Sequence, residues 1–120
     1  MRVLVVVEDD PGMRLLVQET LSEDDRLEID GEVATIEEAV EAARRHPPDL
    51  IILDHYLTGK VMGLNGAPLL KEAAPDARII LFTGHDLEVE ASREPAIDAF
   101  LHKKNLDELL ATIHKVLSIT

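Results

Sequence analysis

The stretch Leu50-Ile51-Ile52-Leu53-Asp54 runs four aliphatic residues straight into a carboxylate. A short, unbroken apolar run suits a strand covered on both faces, as the strands of a parallel sheet are. A second run at 3–7, Val-Leu-Val-Val-Val, ends in Glu8-Asp9-Asp10. In an open parallel sheet the carboxyl ends of the strands line the crevice where ligands bind. Carboxylates converging there repel one another unless a cation lies between them. The pattern therefore points to a hard divalent metal held by oxygens, with a reactive aspartate beside it.

Further strands follow outward from that pair. Ile79-Ile80-Leu81-Phe82 is a third continuous run. Ile29, Gly31 and Val33 alternate with Glu28, Asp30 and Glu32, which predicts a half-exposed edge strand. A fifth strand is expected at 98–102, around Ala99, Phe100 and Leu101. Helical signals fall between these segments. Asp10 can cap a helix opened by Pro11, with Met13, Leu16, Val17 and Leu21 on one face. Thr35 and Glu38 form a capping box before Ile36, Ala39, Val40 and Ala43, and Pro47-Pro48 stops that helix. Asn105 and Glu108 repeat the pattern before Leu106, Leu109, Leu110, Ile113 and Leu117. Two weaker helices are expected at 67–73 and 87–93, cut short by Pro75 and Pro95. A βα unit repeated five times predicts an α/β fold: a five-stranded, doubly wound parallel sheet of flavodoxin-like order 2-1-3-4-5.

The chain of 120 residues fits one domain spanning 1–120, and 46% hydrophobic with 30% charged residues is a globular composition. With one Tyr, two Phe and no Trp, the core must be built from aliphatic side chains. The lack of cysteine excludes disulfides, thiolate metal sites and cysteine nucleophiles. No stretch approaches the ~18 apolar residues of a membrane span, and the chain opens on a strand rather than a leader layout. A cytoplasmic location without membrane association is expected. The net charge of −12 repels phosphate backbones, so direct nucleic-acid binding is not expected.

Glu8, Asp9, Asp54, Thr83 and Lys103 all fall at or just past the ends of expected strands. With strands one and three adjacent, Glu8-Asp9 would face Asp54 across the crevice, flanked by Thr83 and Lys103. Four segments, VLVVVEDDPGMR, DLIILDHYL, RIILFTG and AFLHKKNLDELL, occur in that order along the chain. As an ordered set they resemble the receiver domains of two-component response regulators, over essentially the whole chain.

The resemblance implies that Asp54 is the phospho-acceptor, taking its phosphoryl group from a histidine kinase, a phosphotransfer protein or a small phosphodonor. It implies Mg²⁺ (or Mn²⁺) as cofactor, held by Asp9 directly, by Glu8 largely through water, by Asp54 and by the Tyr56 backbone carbonyl. Thr83 and Lys103 would contact the phosphoryl oxygens, and Thr83 with Phe100 would form the conformational switch. The domain would be a signalling switch rather than an enzyme, though promoting its own phosphorylation and dephosphorylation. Its output would be a downstream protein target, with homodimerisation one option for the output face. Such chemistry needs in-line positioning and charge neutralisation above all.

Some positions depart from the family pattern. Thr58 stands where receivers carry proline, and Asn65-Gly66 matches the next family signal only with a few extra residues around 59–62. Lys104 occupies the place of a cis-proline. A non-proline cis bond costs ~3–4 kcal/mol, so a trans, reshaped turn is expected there. Pro95 weakens the fourth helix, part of the family's output face. These departures favour an alternative, an atypical receiver that binds partners without phosphorylation. A small-molecule-binding domain of the same fold would need a phosphate cradle after the first strand, where Glu8-Asp9-Asp10 is repulsive. His55, beside Asp54, reads as a solvent-facing side chain.

Overall fold

A computed structural model describes residues 1–6, 11–55 and 61–119. Five strands, β1 (Arg2–Val6), β2 (Glu28–Val33), β3 (Leu50–Leu53), β4 (Arg78–Thr83) and β5 (Ala99–His102), form one parallel sheet ordered β2-β1-β3-β4-β5. This is the doubly wound arrangement expected from the apolar runs. Every residue of β3 is buried, as are four of the five in β1, because helices cover both faces.

On one face Val3, Val5, Leu50, Ile52, Ile80 and Phe82 pack against α1 (Pro11–Leu21) and α5 (Leu109–Leu117). On the other, Leu4, Val6, Ile51, Leu53, Ile79 and Leu81 meet α2 (Ile36–Arg45), α3 (Gly63–Ala73) and α4 (Glu88–Ser92). The alternation of side chains along each strand sorts the two sets. α2 and α3 approach closely: a Cβ at Gly66 would overlap the Ile36 side chain. The capping box on α2 forms, with the Glu38 N–H donating to Thr35 Oγ1 at 3.1 Å and Thr35 Oγ1 donating to Glu38 Oε1 at 3.0 Å.

Several local expectations are corrected. The alternation in β2 does not hold one face inward. A bulge places Val3 opposite Ile29 but Leu4 opposite Gly31, so Ile29 joins the α1/α5 layer and Val33 the α2/α3 layer. Leu16 is 42% exposed, leaving Val17 and Leu21 as the buried residues of α1. α3 begins at Gly63 rather than near residue 67, and takes Pro68 inside it. β5 starts at Ala99, one residue later than expected. The Asn105–Glu108 cap does not form; residues Lys103–Glu108 make a 3₁₀ stretch in which Asn105 is non-helical (φ −104°, ψ 36°), and α5 starts only at Leu109. As Pro95 foreshadowed, α4 is a helix of 5 residues. The Asp10 cap lies outside the described residues.

Candidate functional site

Asp54 is the first residue past β3, and its N–H donates to the Val6 carbonyl at 2.8 Å, extending the pairing with β1 by one step. It is only 4% exposed. A carboxylate this covered must be paired. Its Oδ2 accepts from Lys103 Nζ at 2.6 Å and its Oδ1 from the His55 N–H at 2.7 Å. A carboxylate offers about four acceptor positions, so capacity remains beyond these two described partners.

Lys103 follows β5 directly and reaches over the end of β4 to meet Asp54, its stem passing Gly84 (a Cβ there would lie 3.9 Å from Lys103 Cδ). Thr83 is the last residue of β4, pairs with His102 in the ladder and is fully buried. Its Oγ1 has no hydrogen-bond partner among the described residues. Buried hydroxyls normally find one. Three strand ends thus carry a carboxylate and an ammonium in contact and, on the strand between them, a hydroxyl without a partner among the described residues. Phe100 is partly buried against the α2/α3 layer and lines a groove of about 480 Å³ with Asp86, Val89, His102 and Lys104. Glu8, Asp9 and the Tyr56 carbonyl, the other expected metal ligands, lie outside the described residues, as do Thr58 and residues 59–60 of the 59–62 extension.

His55 is not the solvent-facing residue expected. Its carbonyl accepts from the Gly63 N–H at 2.7 Å and its Nδ1 from the Leu64 N–H at 3.1 Å. The N-cap of α3, Met62, makes no side-chain cap, so the imidazole satisfies a free N–H of the first turn. Burial holds His55 below its ordinary pKa; the Asp54 carboxylate opposes that shift and His85 adds to it. A neutral ring accepting at Nδ1 carries its proton on Nε2. Gly63 fits against the backbone of Asp54 so closely that a Cβ there would overlap the Asp54 carbonyl oxygen. His55 and Gly63 are therefore both held beside Asp54. Nothing in the sequence announced this, since the cap spans nine positions and uses an uncommon capping residue.

The profile of the response regulator receiver domain matches residues 4–114. The chain belongs to the receiver domain family. The receiver is 28% identical over 115 residues to the nitrate/nitrite response regulator NarL of Escherichia coli K12, covering 93% of this chain and 53% of that protein. It is 32% identical over 120 residues to the transcriptional regulatory protein PdtaR of Mycobacterium tuberculosis, covering 98% and 57%. The receiver therefore spans about half the length of these curated relatives. Among solved structures it is similar to the response regulator TrrA of Thermotoga maritima in complex with Mg²⁺-BeF, at 34% identity and a TM-score of 0.81, covering 96% of this chain and 97% of that one. Receivers are signalling domains, and among the described residues no helix is long and apolar enough to cross a membrane.

Proposed function

We propose that this receiver, spanning 1–120, is a phosphorylation switch in which Asp54 accepts a phosphoryl group from a histidine kinase or phosphotransfer protein. The observation that carries the proposal is the 2.6 Å contact from Lys103 to buried Asp54, with the Thr83 hydroxyl, which has no partner among the described residues, on the next strand end. An Asp54 carboxylate oxygen attacks phosphorus in line, forming an acyl phosphate as the bond to the donor's leaving atom breaks with its electron pair. Lys103 transfers its ammonium from the carboxylate to a phosphoryl oxygen, and Thr83 donates its hydroxyl to another. Burial strengthens both contacts.

Among the described residues no group of three or more ligating side chains gathers, and of the expected ligands only Asp54 is described; its buried anionic oxygen with acceptor capacity to spare supports a hard cation there. Asp54, Asp9, Glu8 (largely through water) and the Tyr56 carbonyl would hold Mg²⁺ (or Mn²⁺), which supplies charge neutralisation when bound. The Mg²⁺-BeF complex of TrrA supports this reading by similarity. New contacts at Thr83 and Lys103 bias an equilibrium between two conformations, with Phe100 moving between them and the change passed to a downstream protein. We place the domain in the cytoplasm, without direct contact to nucleic acid or membrane.

The atypical reading, partner binding without phosphate, is favoured by one observation: α4, an element of the family's output face, is a helix of only 5 residues. Intact mass after incubation with acetyl phosphate, with and without Mg²⁺, separates the two. A Mg²⁺-dependent adduct that is absent from Asp54→Ala is expected. If wild type takes no phosphoryl group from acetyl phosphate or from any histidine kinase, the atypical reading replaces the switch.

A further inference from the structure

We infer that His102 is a positioning residue for Lys103. The inference rests on the acceptor reading of Asp54 for its kinetic consequence, though its geometry stands without it. β5 ends at His102, and the chain then turns sharply into the 3₁₀ stretch that begins with Lys103. The first N–H groups of such a stretch have no partner within it. His102 sits at its N-cap with extended backbone (φ −76°, ψ 142°), and its Nδ1 accepts the Lys104 N–H at 3.1 Å. That bond links a side chain to the N–H two residues on and closes a ring around Lys103, as an Asx-turn does. The Lys103–Lys104 peptide is trans.

The other ring nitrogen, Nε2, lies 3.6 Å from Oδ1 of Asp86, a 96% exposed side chain in the loop that leaves Thr83. A neutral ring that accepts at Nδ1 carries its proton on Nε2. The imidazole therefore stands between the turn that aims Lys103 and the segment that follows Thr83. The family's proline at position 104 would have no N–H to donate. Here Lys104 supplies the donor and His102 the acceptor, so a side-chain bond holds a turn that proline would hold by its ring. The direction of the Lys103 ammonium toward Asp54 depends on that bond.

The test has two independent readouts on the full chain. The first is the rate of adduct formation over a range of acetyl phosphate concentrations at fixed Mg²⁺. His102→Leu lowers the saturated rate about fivefold, the size of a lost cap expressed as a rate, with the half-saturating concentration unchanged. His102→Asn, whose carboxamide oxygen stands where Nδ1 stands, recovers most of the rate. His102→Gln, which reaches the Nε2 position instead, does not. The second readout is the melting temperature of wild type, Lys103→Ala, His102→Leu and the double variant. The drop caused by Lys103→Ala at least halves in the His102→Leu background, because a misaimed ammonium has less to lose. A wild-type rate in His102→Leu, or equal rates in the Asn and Gln variants, would overturn the inference. An undiminished Lys103→Ala drop would do the same. Absence of any adduct from wild type, with the melting drop still halved, would remove the acceptor reading and leave the positioning role standing.

Discussion

Two aspartates sit at opposite ends of the same sheet, Asp54 buried and Asp98 with its side chain 20% exposed, and their partners differ in kind. Asp98, at the amino end, accepts from Lys71 Nζ at 2.9 Å and the Ile79 N–H at 2.8 Å on one oxygen, and from an Arg78 nitrogen at 3.4 Å on the other. Lys71 also donates to the Ala77 carbonyl at 2.6 Å, tying the end of α3 to the start of β4. Asp54, at the carboxyl end, has one ammonium, one N–H and spare acceptor capacity, next to a hydroxyl without a described partner. Three partners, two of them cationic, mark Asp98 as scaffold. The fewer described partners at the crevice fit the proposed role of Asp54 as a phosphoryl acceptor.

The comparison breaks most severely if the functional end loses its tight seat. Gly63→Ala puts a methyl group into the Asp54 carbonyl, and the His55–Leu64 cap would have to open to relieve it. We expect a loss of about 3 kcal/mol, at the upper end of overpacking costs, together with a slowed phosphoryl adduct. Urea unfolding beside the mass assay measures both. A variant as stable as wild type would show that the start of α3 is not held against Asp54.

The scaffold aspartate should cost more stability than the functional one. Asp98→Ala removes several charge-assisted bonds and is expected to cost about 2 kcal/mol, with phosphorylation still possible in the folded fraction. Asp54→Asn is expected to cost less than about 1 kcal/mol while abolishing the adduct, because Lys103 is 21% exposed and can turn to water. Acid should separate them as well. Burial alone would raise the Asp98 pKa, but the Ile79 N–H, Lys71 and Arg78 together hold it below the ordinary 3.8. Asp24 is lowered in the same sense, chiefly by hydrogen bonds from the Arg26 side chain and backbone. Between the folded and unfolded values the unfolded chain binds more protons, so this stability is present above the ordinary value and is lost as pH falls through the folded one. Melting temperature is expected to hold from neutral pH down to about 5 and to fall below about 4, with a shallower fall in Asp98→Asn. An acid limb unchanged in that variant would strip Asp98 of its scaffold role.

How much of this could be read from the sequence follows from what each feature depends on. The runs at 3–7, 50–53 and 79–82 were legible because four adjacent aliphatics allow burial on both faces and little else. The strand-end positions of Asp54, Thr83 and Lys103 were legible because each follows or closes an apolar run, and the structure brings Lys103 onto Asp54. The Thr35–Glu38 box formed as read, while the same spacing at Asn105–Glu108 did not, because the chain leaves β5 through the 3₁₀ turn that places Lys103. His55 and His102 both accept a backbone N–H at Nδ1, and neither role has a local signature. The bulge in β2 was hidden for a similar reason: Asp30 looks like any outward residue until the register of β1 is known. Glu8, Asp9 and Tyr56 lie outside the described residues, so the metal-binding roles proposed for them rest on the family resemblance.

The smallest expected effect sharpens the contrast most. Thr83 is fully buried with a hydroxyl that no described residue satisfies, so the resting fold carries the desolvation of that group without return. Thr83→Val keeps the shape and removes the hydroxyl. If the hydroxyl serves only the phosphorylated state, the unphosphorylated variant should be as stable as wild type or gain up to about 1 kcal/mol. The phosphorylated form should show the opposite sign, since a hydrogen bond to a phosphoryl oxygen is lost. Melting curves before and after acetyl phosphate treatment therefore give a difference of differences that a purely structural threonine cannot produce. A stability loss in the unphosphorylated variant would mean that the hydroxyl already has a partner at rest. Thr83 would then belong with Asp98 on the scaffold side of the comparison.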